Sequence, residues 1–588
     1  MTWPYLIAFS GLAFGWLLPL HFQPWTSWHA EAAVFVGVFG AACFGLFQGL
    51  KSRSTVAVPW LALPVLAFAG VALAQYGVGL LPYSGELLLV WFYAAFCVVC
   101  LVLGYATNSP HHLSVQPSSN QLTGPPIKPR ADPPTDPLID PSTTPPVLLS
   151  AALVVIGIAS AGAGLVQAFD VWTHTDWFVR SNSLVRHGGQ VSQANHFALG
   201  LLLALVSTIY LFCSSQCNKY TAFLAITLFG MGLSVSQSRA GLLSVIAIAV
   251  WWVWKQPFVA PAARRWWALA VGGWLVALFF AWPPVFDTVF FVGDAASSAA
   301  FRGVGSPRFV VWPQLWQAVL AHPWFGWGVL QVSPALNSVA HNYPVSDAFT
   351  YSHTVVLDLL VWLGIPLALL FMLGALAWLA RTAWRVSSLT AWFLFGLLVP
   401  LVVGSLLEFP YAYAHCMAPV LFALGMLERG LSRAPMVVLR SSVVAVPLAV
   451  VSLVLAWSAV EYVRLEEDVR VARFEALRVG KTAEGYVPPS TLLLNQLSSL
   501  ANAVRVVPAP NMTKEQLDLL KSAALRYPWT ATGYRYALAL ALNGGQAEAL
   551  RQMQIMRVMH GEKTYLQLMG VLQEKLNDHN VVWQPEKR

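Results

Sequence analysis

Residues 347–366 read DAFTYSHTVVLDLLVWLGIP, a polar stretch that ends in His353 just before an apolar run begins. A neutral imidazole placed there can take a proton from a hydroxyl that arrives from water. Three other polar clusters carry groups of complementary chemistry. RSNSLVRHGGQVSQANH (180–196) holds Arg180, Gln193, Asn195 and His196, and SQSRAG (236–241) holds Ser238 and Arg239. Arg308 and His341 lie in a long connection, and LEFPYAYAH (407–415) supplies Glu408 and Tyr411. Taken singly, each has a plain structural use. Arg239 would snorkel to the membrane interface, Arg308 would make a surface ion pair, His353 would sit beside a helix cap, and Glu408 would cap or pair. Taken together, the arginines outnumber the carboxylates and call for an anion. A diphosphate on a polyprenyl lipid fits. Guanidinium groups bind phosphate oxygens through paired hydrogen bonds and stabilise the charge that develops as the diphosphate leaves. Asp358 lies five residues beyond His353, about 140° around a helix, so the two do not form a simple dyad.

These residues need elements to position them, and composition names the class. The chain has 588 residues, of which 57% are hydrophobic and 10% charged. Its mean hydropathy is +0.61. A soluble domain of this size is excluded, and an all-α polytopic membrane protein is expected. Apolar runs of about 20 residues recur, as a hydrocarbon core of about 30 Å requires. About thirteen spans are expected, near 3–20, 31–50, 56–81, 84–106, 147–168, 196–213, 220–235, 240–255, 266–286, 354–379, 388–407, 415–428 and 441–460. The first reads as a retained span, because no small-residue cleavage site follows it.

Lys51, Arg53, Lys128, Arg130, Lys219, Lys255, Arg264, Arg265, Arg381, Arg385, Arg429 and Arg433 fall on alternate loops. That face is expected to be cytoplasmic, leaving the opposite face, with all four polar clusters, in the periplasm. The net charge of +8 follows largely from these loops and calls for no nucleic-acid partner. Four parts follow: N-terminal spans (1–107), a Pro-rich cytoplasmic linker (108–146), a catalytic membrane core (147–460) with a large periplasmic loop (287–353), and a periplasmic helical domain (461–588). That last domain is built in the tetratricopeptide manner, without a clean 34-residue period. All six cysteines lie in or beside spans, so no disulfide framework is expected, and the Cys97–Cys100 pair reads as core packing. The first external loop offers only Glu31, and the histidines lack close ligand spacing, so no metal or other cofactor is expected.

At this point the motifs carry a resemblance. SQSRAG, the connection containing Arg308 and AHPWFGWG, and YSHTVVLDLLVWLGIP look like the core of the O-antigen ligase and polymerase superfamily of membrane glycosyltransferases. GGQVSQANHFA and SLLEFPYAYAHCMAPVLFALG resemble segments of its PglL-type protein O-oligosaccharyltransferases. The resemblance implies a GT-C-like membrane fold in the bacterial inner membrane. It also implies en bloc transfer of an oligosaccharide from undecaprenyl diphosphate to Ser or Thr hydroxyls of periplasmic or pilin-like proteins. Arg239 and Arg308 would hold the diphosphate and His353 would be the base, while Gln193, Asn195, His196, Glu408 and Tyr411 match further motif positions. The family's His-Asn pair reads His353-Thr354 here, and His341-Asn342 upstream is the alternative alignment. Transfer to a lipopolysaccharide core, glycan polymerisation and transport of a lipid-linked glycan are the rival readings.

Overall fold

A computed structural model describes residues 3–106, 144–170, 186–256, 265–290, 307–477 and 479–583. Most of the expected linker, the first part of the 287–353 connection and Arg180 lie outside the described residues.

The described residues are mostly helical, with one two-stranded sheet. The helices are α1 (Trp3–Leu17), α2 (Trp28–Lys51), α3 (Ala62–Gly77), α4 (Ser84–Ala106), α5 (Pro145–Ala168), α6 (Ala194–Cys213), α7 (Lys219–Ser236), α8 (Arg239–Lys255) and α9 (Arg265–Phe290). They continue with α10 (Pro307–Ala321), α11 (Val332–Ala340), α12 (Val355–Arg385), α13 (Leu389–Gly396), α14 (Leu398–Leu407), α15 (Ala414–Gly430) and α16 (Ser441–Ala476). Five shorter helices close the chain: α17 (Asn495–Arg505), α18 (Lys514–Arg526), α19 (Thr530–Leu542), α20 (Gln546–His560) and α21 (Glu562–Asp578).

Every expected span holds a helix. Among the described residues, nine helices are long and apolar enough to cross a membrane, with Leu389–Leu407 counted as one. The others fall short: α1 has 15 residues, α3 has 16, and α8 and α15 have 17 each. Apolar content made all of these windows alike in sequence, whereas caps and packing decide how much of each is helix.

In lipid a helix satisfies its own backbone, so the bundle is assembled by side-chain packing. The central element is α6, buried at nearly every position from His196 to Tyr210. Glycines let neighbouring helices approach: a Cβ on Gly104 of α4 would come within 2.2 Å of the Phe422 carbonyl oxygen in α15. By contrast, α16 has only 6% of its apolar window buried.

The ends of the bundle differ. At one end, strand β1 (Thr55–Val58) pairs antiparallel with β2 (Val437–Arg440), Thr55 opposite Arg440. Lys255 donates to the Trp384 and Val386 carbonyls there, and Arg433 bonds Glu428 and Thr382. At the opposite end lie the α6, α8 and α12 N-termini, the α14 C-terminus and the C-terminal helices.

The C-terminal helices pack in chain order around small cores such as Leu520, Ala523, Tyr536 and Ala539. Thr513 and Gln516 form a capping box at the start of α18. This unit is bolted to the membrane part. Arg526 pairs with Glu86, which is fully buried, at 2.6 Å, and Gln331 donates to the same carboxylate at 2.9 Å. Asn495 bonds Gly85 and Ser84, and Ser346 N donates to the Val558 carbonyl. Docking therefore reaches the connection that leads to His353.

Candidate active site

Glu408 ends α14 as its C-cap and has only 3% of its side chain exposed. A carboxylate this deep needs donors on both oxygens. Its Oε1 accepts from Arg308 Nη2 and, at 2.5 Å, from Asn195 Nδ2. Its Oε2 accepts from His353 Nδ1 at 2.7 Å. Four segments meet on one carboxylate.

Asn195 extends the network. Its Oδ1 accepts from Ser238 Oγ and from Arg186 Nη2, both at 2.8 Å. Ser238 is the N-cap of α8 and also receives the Gly241 amide, so it holds the helix start while orienting Asn195. Arg239 is the first residue of that helix and its side chain is exposed. The charges that act on Arg186 are Glu408, Arg308 and Arg239, which places the three arginines in one field. Desolvation lowers the Arg186 pKa from its ordinary value; Glu408 opposes this and the two arginines add to it.

His353 is held by its backbone as well as its ring. Its φ of 61° lies in the left-handed region, at a cost on the order of 1–2 kcal/mol for a residue with a Cβ. The neighbouring bonds fix this turn. Ser352 N donates to Asp358 Oδ1 at 2.7 Å, Ser352 Oγ donates to the Thr354 carbonyl at 2.8 Å, and Tyr411 OH donates to Asp358 Oδ2. Asp358 thus bonds Tyr411 and the turn, whereas the His353 ring bonds Glu408. That ring is walled by Phe349 and Phe409, with centroids at 4.8 and 4.7 Å. With Nδ1–H turned to Glu408, Nε2 holds the outward lone pair and has no hydrogen bond among the described residues.

Other sequence candidates fall elsewhere. Gln193 caps α6, accepting from His196 N at 2.7 Å. His341 follows α11 and faces Arg551 and Glu548 of α20; burial, then Arg551, lowers its pKa against the pull of Glu548. His196 is buried and packs edge-on against Tyr413, with centroids 4.4 Å apart. Sequence spacing offered no ligand set, yet the fold brings the donor atoms of His196, His415 and Cys416 within 4.8 Å of one another. Ligands of one tetrahedral zinc ion lie about 3.4–3.6 Å apart. Arg186 and Asp358 are the residues that sequence reasoning undervalued. Arg186 shares a polar segment with Arg180, and no local pattern ranks one above the other.

A histidine, the buried carboxylate bonded to its ring and three guanidinium groups share one end of the bundle. This arrangement can deprotonate a hydroxyl beside a bound anion.

A family model described as O-antigen ligase matches residues 222–372, and another, for the C-terminal part of a virulence factor membrane-bound polymerase, matches 392–573. The chain is similar to a general O-oligosaccharyltransferase of Acinetobacter baylyi, 23% identical over 569 residues, which cover 95% of this chain and 92% of that protein. It is also similar to a ComP-specific O-oligosaccharyltransferase of the same organism, 29% identical over 242 residues, covering 41% and 43% of the two chains.

Proposed function

From the premise that this chain is a membrane glycosyltransferase of the O-antigen ligase superfamily, we propose that it transfers an oligosaccharide en bloc from a polyprenyl diphosphate to Ser or Thr hydroxyls of proteins outside the cytoplasm. The observation that carries this reading is the Glu408 hub, which joins His353 to Arg308 and, through Asn195, to Arg186 and Ser238.

In this reading the acceptor hydroxyl meets His353 Nε2. The imidazole takes the proton as the oxygen attacks the anomeric carbon, and the bond from that carbon to the diphosphate oxygen breaks. Glu408 holds Nδ1–H and stabilises the imidazolium that forms. Arg308, Arg239 and Arg186 face the diphosphate as its charge grows. Alignment and charge stabilisation supply most of the acceleration, with the base adding about 10²–10⁴-fold. The charges that act on His341 are Arg551 and Glu548 of the C-terminal helices, whereas His353 shares the Glu408 hub with Arg308 and Asn195, which favours His353 as the base.

The periplasmic placement of the site follows the positive-inside rule. Lys51, Lys255, Arg385 and Arg433 mark the cytoplasmic end, and the bacterial inner membrane is the expected location. The three arginines supply countercharge without a divalent ion, so transfer in purified membranes is expected to survive excess chelator.

Mass spectrometry of periplasmic and pilin-like proteins, with and without this chain, tests the function. A glycan on Ser or Thr that requires the chain and disappears in His353→Ala supports the proposal. A glycan that moves only to lipopolysaccharide core, or only lengthens on its lipid, overturns the protein acceptor.

A further inference from the structure

No Asp, Glu, Lys or Arg occurs between Arg308 and Asp347, although this stretch was expected to be a water-exposed connection. Its first helix, α10, turns Phe309, Trp316 and Leu320 outward, and the turn that follows exposes Trp324 by 69% and Phe325 by 73%. Such an outward face suits a non-aqueous surround.

The turn is also deep. Pro323 O accepts from Ile365 N at 2.7 Å, and Trp327 N donates to the Val361 carbonyl at 2.7 Å. These bonds clasp α12 at its kink, where Gly364 has a φ of 74° and Pro366 follows. A Cβ on Gly326 would approach the Gly364 nitrogen to 2.6 Å, so glycine is required at this crossing. Gly364 lies nine residues into α12, about 13 Å from its start, against a half-core of about 15 Å.

The same depth is reached from below. With 16 residues, α3 is about 24 Å long and stops short of a 30 Å core. Near its end, buried Gln75 accepts from Val329 N at 3.0 Å and donates to the carbonyls of Trp362 at 2.8 Å and Phe325 at 3.3 Å. Irregular backbone at membrane depth persists only where protein satisfies it, and Gln75 with the α12 kink does so.

We propose that residues 307–329 form a re-entrant segment that completes the half-span begun by α3 and seats Phe309, Trp316, Leu320, Trp324 and Phe325 among the acyl chains of the leaflet on the active-site side. Its outward face continues onto the exposed Leu369, Leu370 and Leu373 of α12, which commits its occupant to lipid. Arg308, at the head of the segment, is thereby held at headgroup level. If the functional reading above holds, that is where the donor diphosphate lies.

The test uses full-length chain in liposomes, with exposed Cys43 and half-buried Cys97 and Cys217 changed to Ser and a nitroxide placed singly at Phe309→Cys, Trp316→Cys, Leu320→Cys, Trp324→Cys and Phe325→Cys. Leu370→Cys serves as the lipid-facing reference and Val345→Cys as the aqueous one. Collision rates with oxygen relative to a nickel chelate should rise from Phe309 to Phe325 and reach the Leu370 value at the tip. A flat profile at the Val345 level overturns the proposal, as does a tip shielded from both reagents by a second copy or another protein. Because the series uses several sites, one variant that fails to fold leaves it readable. Arg308→Ala assayed separately for transfer tells failure of the functional reading from failure of the re-entrant geometry.

Discussion

Replacing Glu408 by Gln changes one oxygen for an amide and leaves the shape of the hub intact. The amide oxygen can still accept from Asn195 or Arg308, but the amide nitrogen must then face His353 Nδ1, 2.7 Å from the present carboxylate oxygen. A donor there favours the tautomer with its proton on Nε2, the atom proposed to receive the acceptor's proton. A second loss is the negative charge that stabilises the imidazolium; a charge-assisted bond of this kind contributes about 1.5–3 kcal/mol. Tautomer inversion in a carboxylate–histidine pair costs about 10⁴ in kcat in the Ser-His-Asp enzymes, so a fall of about 10³–10⁴ is expected here. The assay is transfer from polyprenyl-diphosphate-linked glycan to an acceptor protein in proteoliposomes, with donor affinity measured separately. Donor affinity should stay within a few fold, because all three arginines remain. Glu408→Gln combined with His353→Ala should be no slower than His353→Ala alone, since the carboxylate acts through the ring. A Glu408→Gln enzyme that keeps more than a tenth of its rate, or losses that multiply in the double variant, would refute the tautomer argument.

Tyr411→Phe should lower kcat by about 10–100-fold with donor binding unchanged, because Asp358 loses a partner worth about 1–3 kcal/mol and the Ser352–His353 turn loosens; an unchanged rate would show that the turn holds without it. Arg526→Ala should cost about 3–5 kcal/mol by leaving the fully buried Glu86 unpaired, seen as faster proteolysis between α16 and α17, whereas Arg526→Met with Glu86→Gln should be milder; equal damage from both would deny the ion pair that role. His187 is buried with neither ring nitrogen hydrogen-bonded among the described residues, and desolvation lowers its pKa from 6.5 to about 4. The folded state favours its neutral form, so stability is full above pH 6.5 and falls as pH drops toward 4, by roughly 3 kcal/mol at the limit. Melting curves from pH 7.5 to 4.5 should flatten in His187→Gln, and an unchanged slope would locate the acid lability elsewhere.

The sequence by itself determined the class and the order of the helices. Those features are local: an apolar run long enough for the hydrocarbon core inserts whatever its neighbours do, and basic residues mark alternate loops. Ser238 before α8 and His353 before α12 were equally legible, because a cap or boundary residue lies next to the run it serves. Tertiary structure alone decided which of these groups touch. Glu408 meets His353 across 55 residues, Arg308 across 100 and Asn195 across 213, and only the packing of α6, α12 and α14 around a shared corner sets those distances. The same cause separates His353 from His341, and it brings Arg186 into the field of Arg308 and Arg239 where sequence had pointed to Arg180. It also ties the 323–329 turn to the membrane helices, since Gln75 and the Gly364 kink become its partners only once α3 and α12 are side by side. Bilayer insertion is decided by each segment against lipid, whereas the site depends on donors and acceptors far apart in the chain finding each other where water cannot substitute.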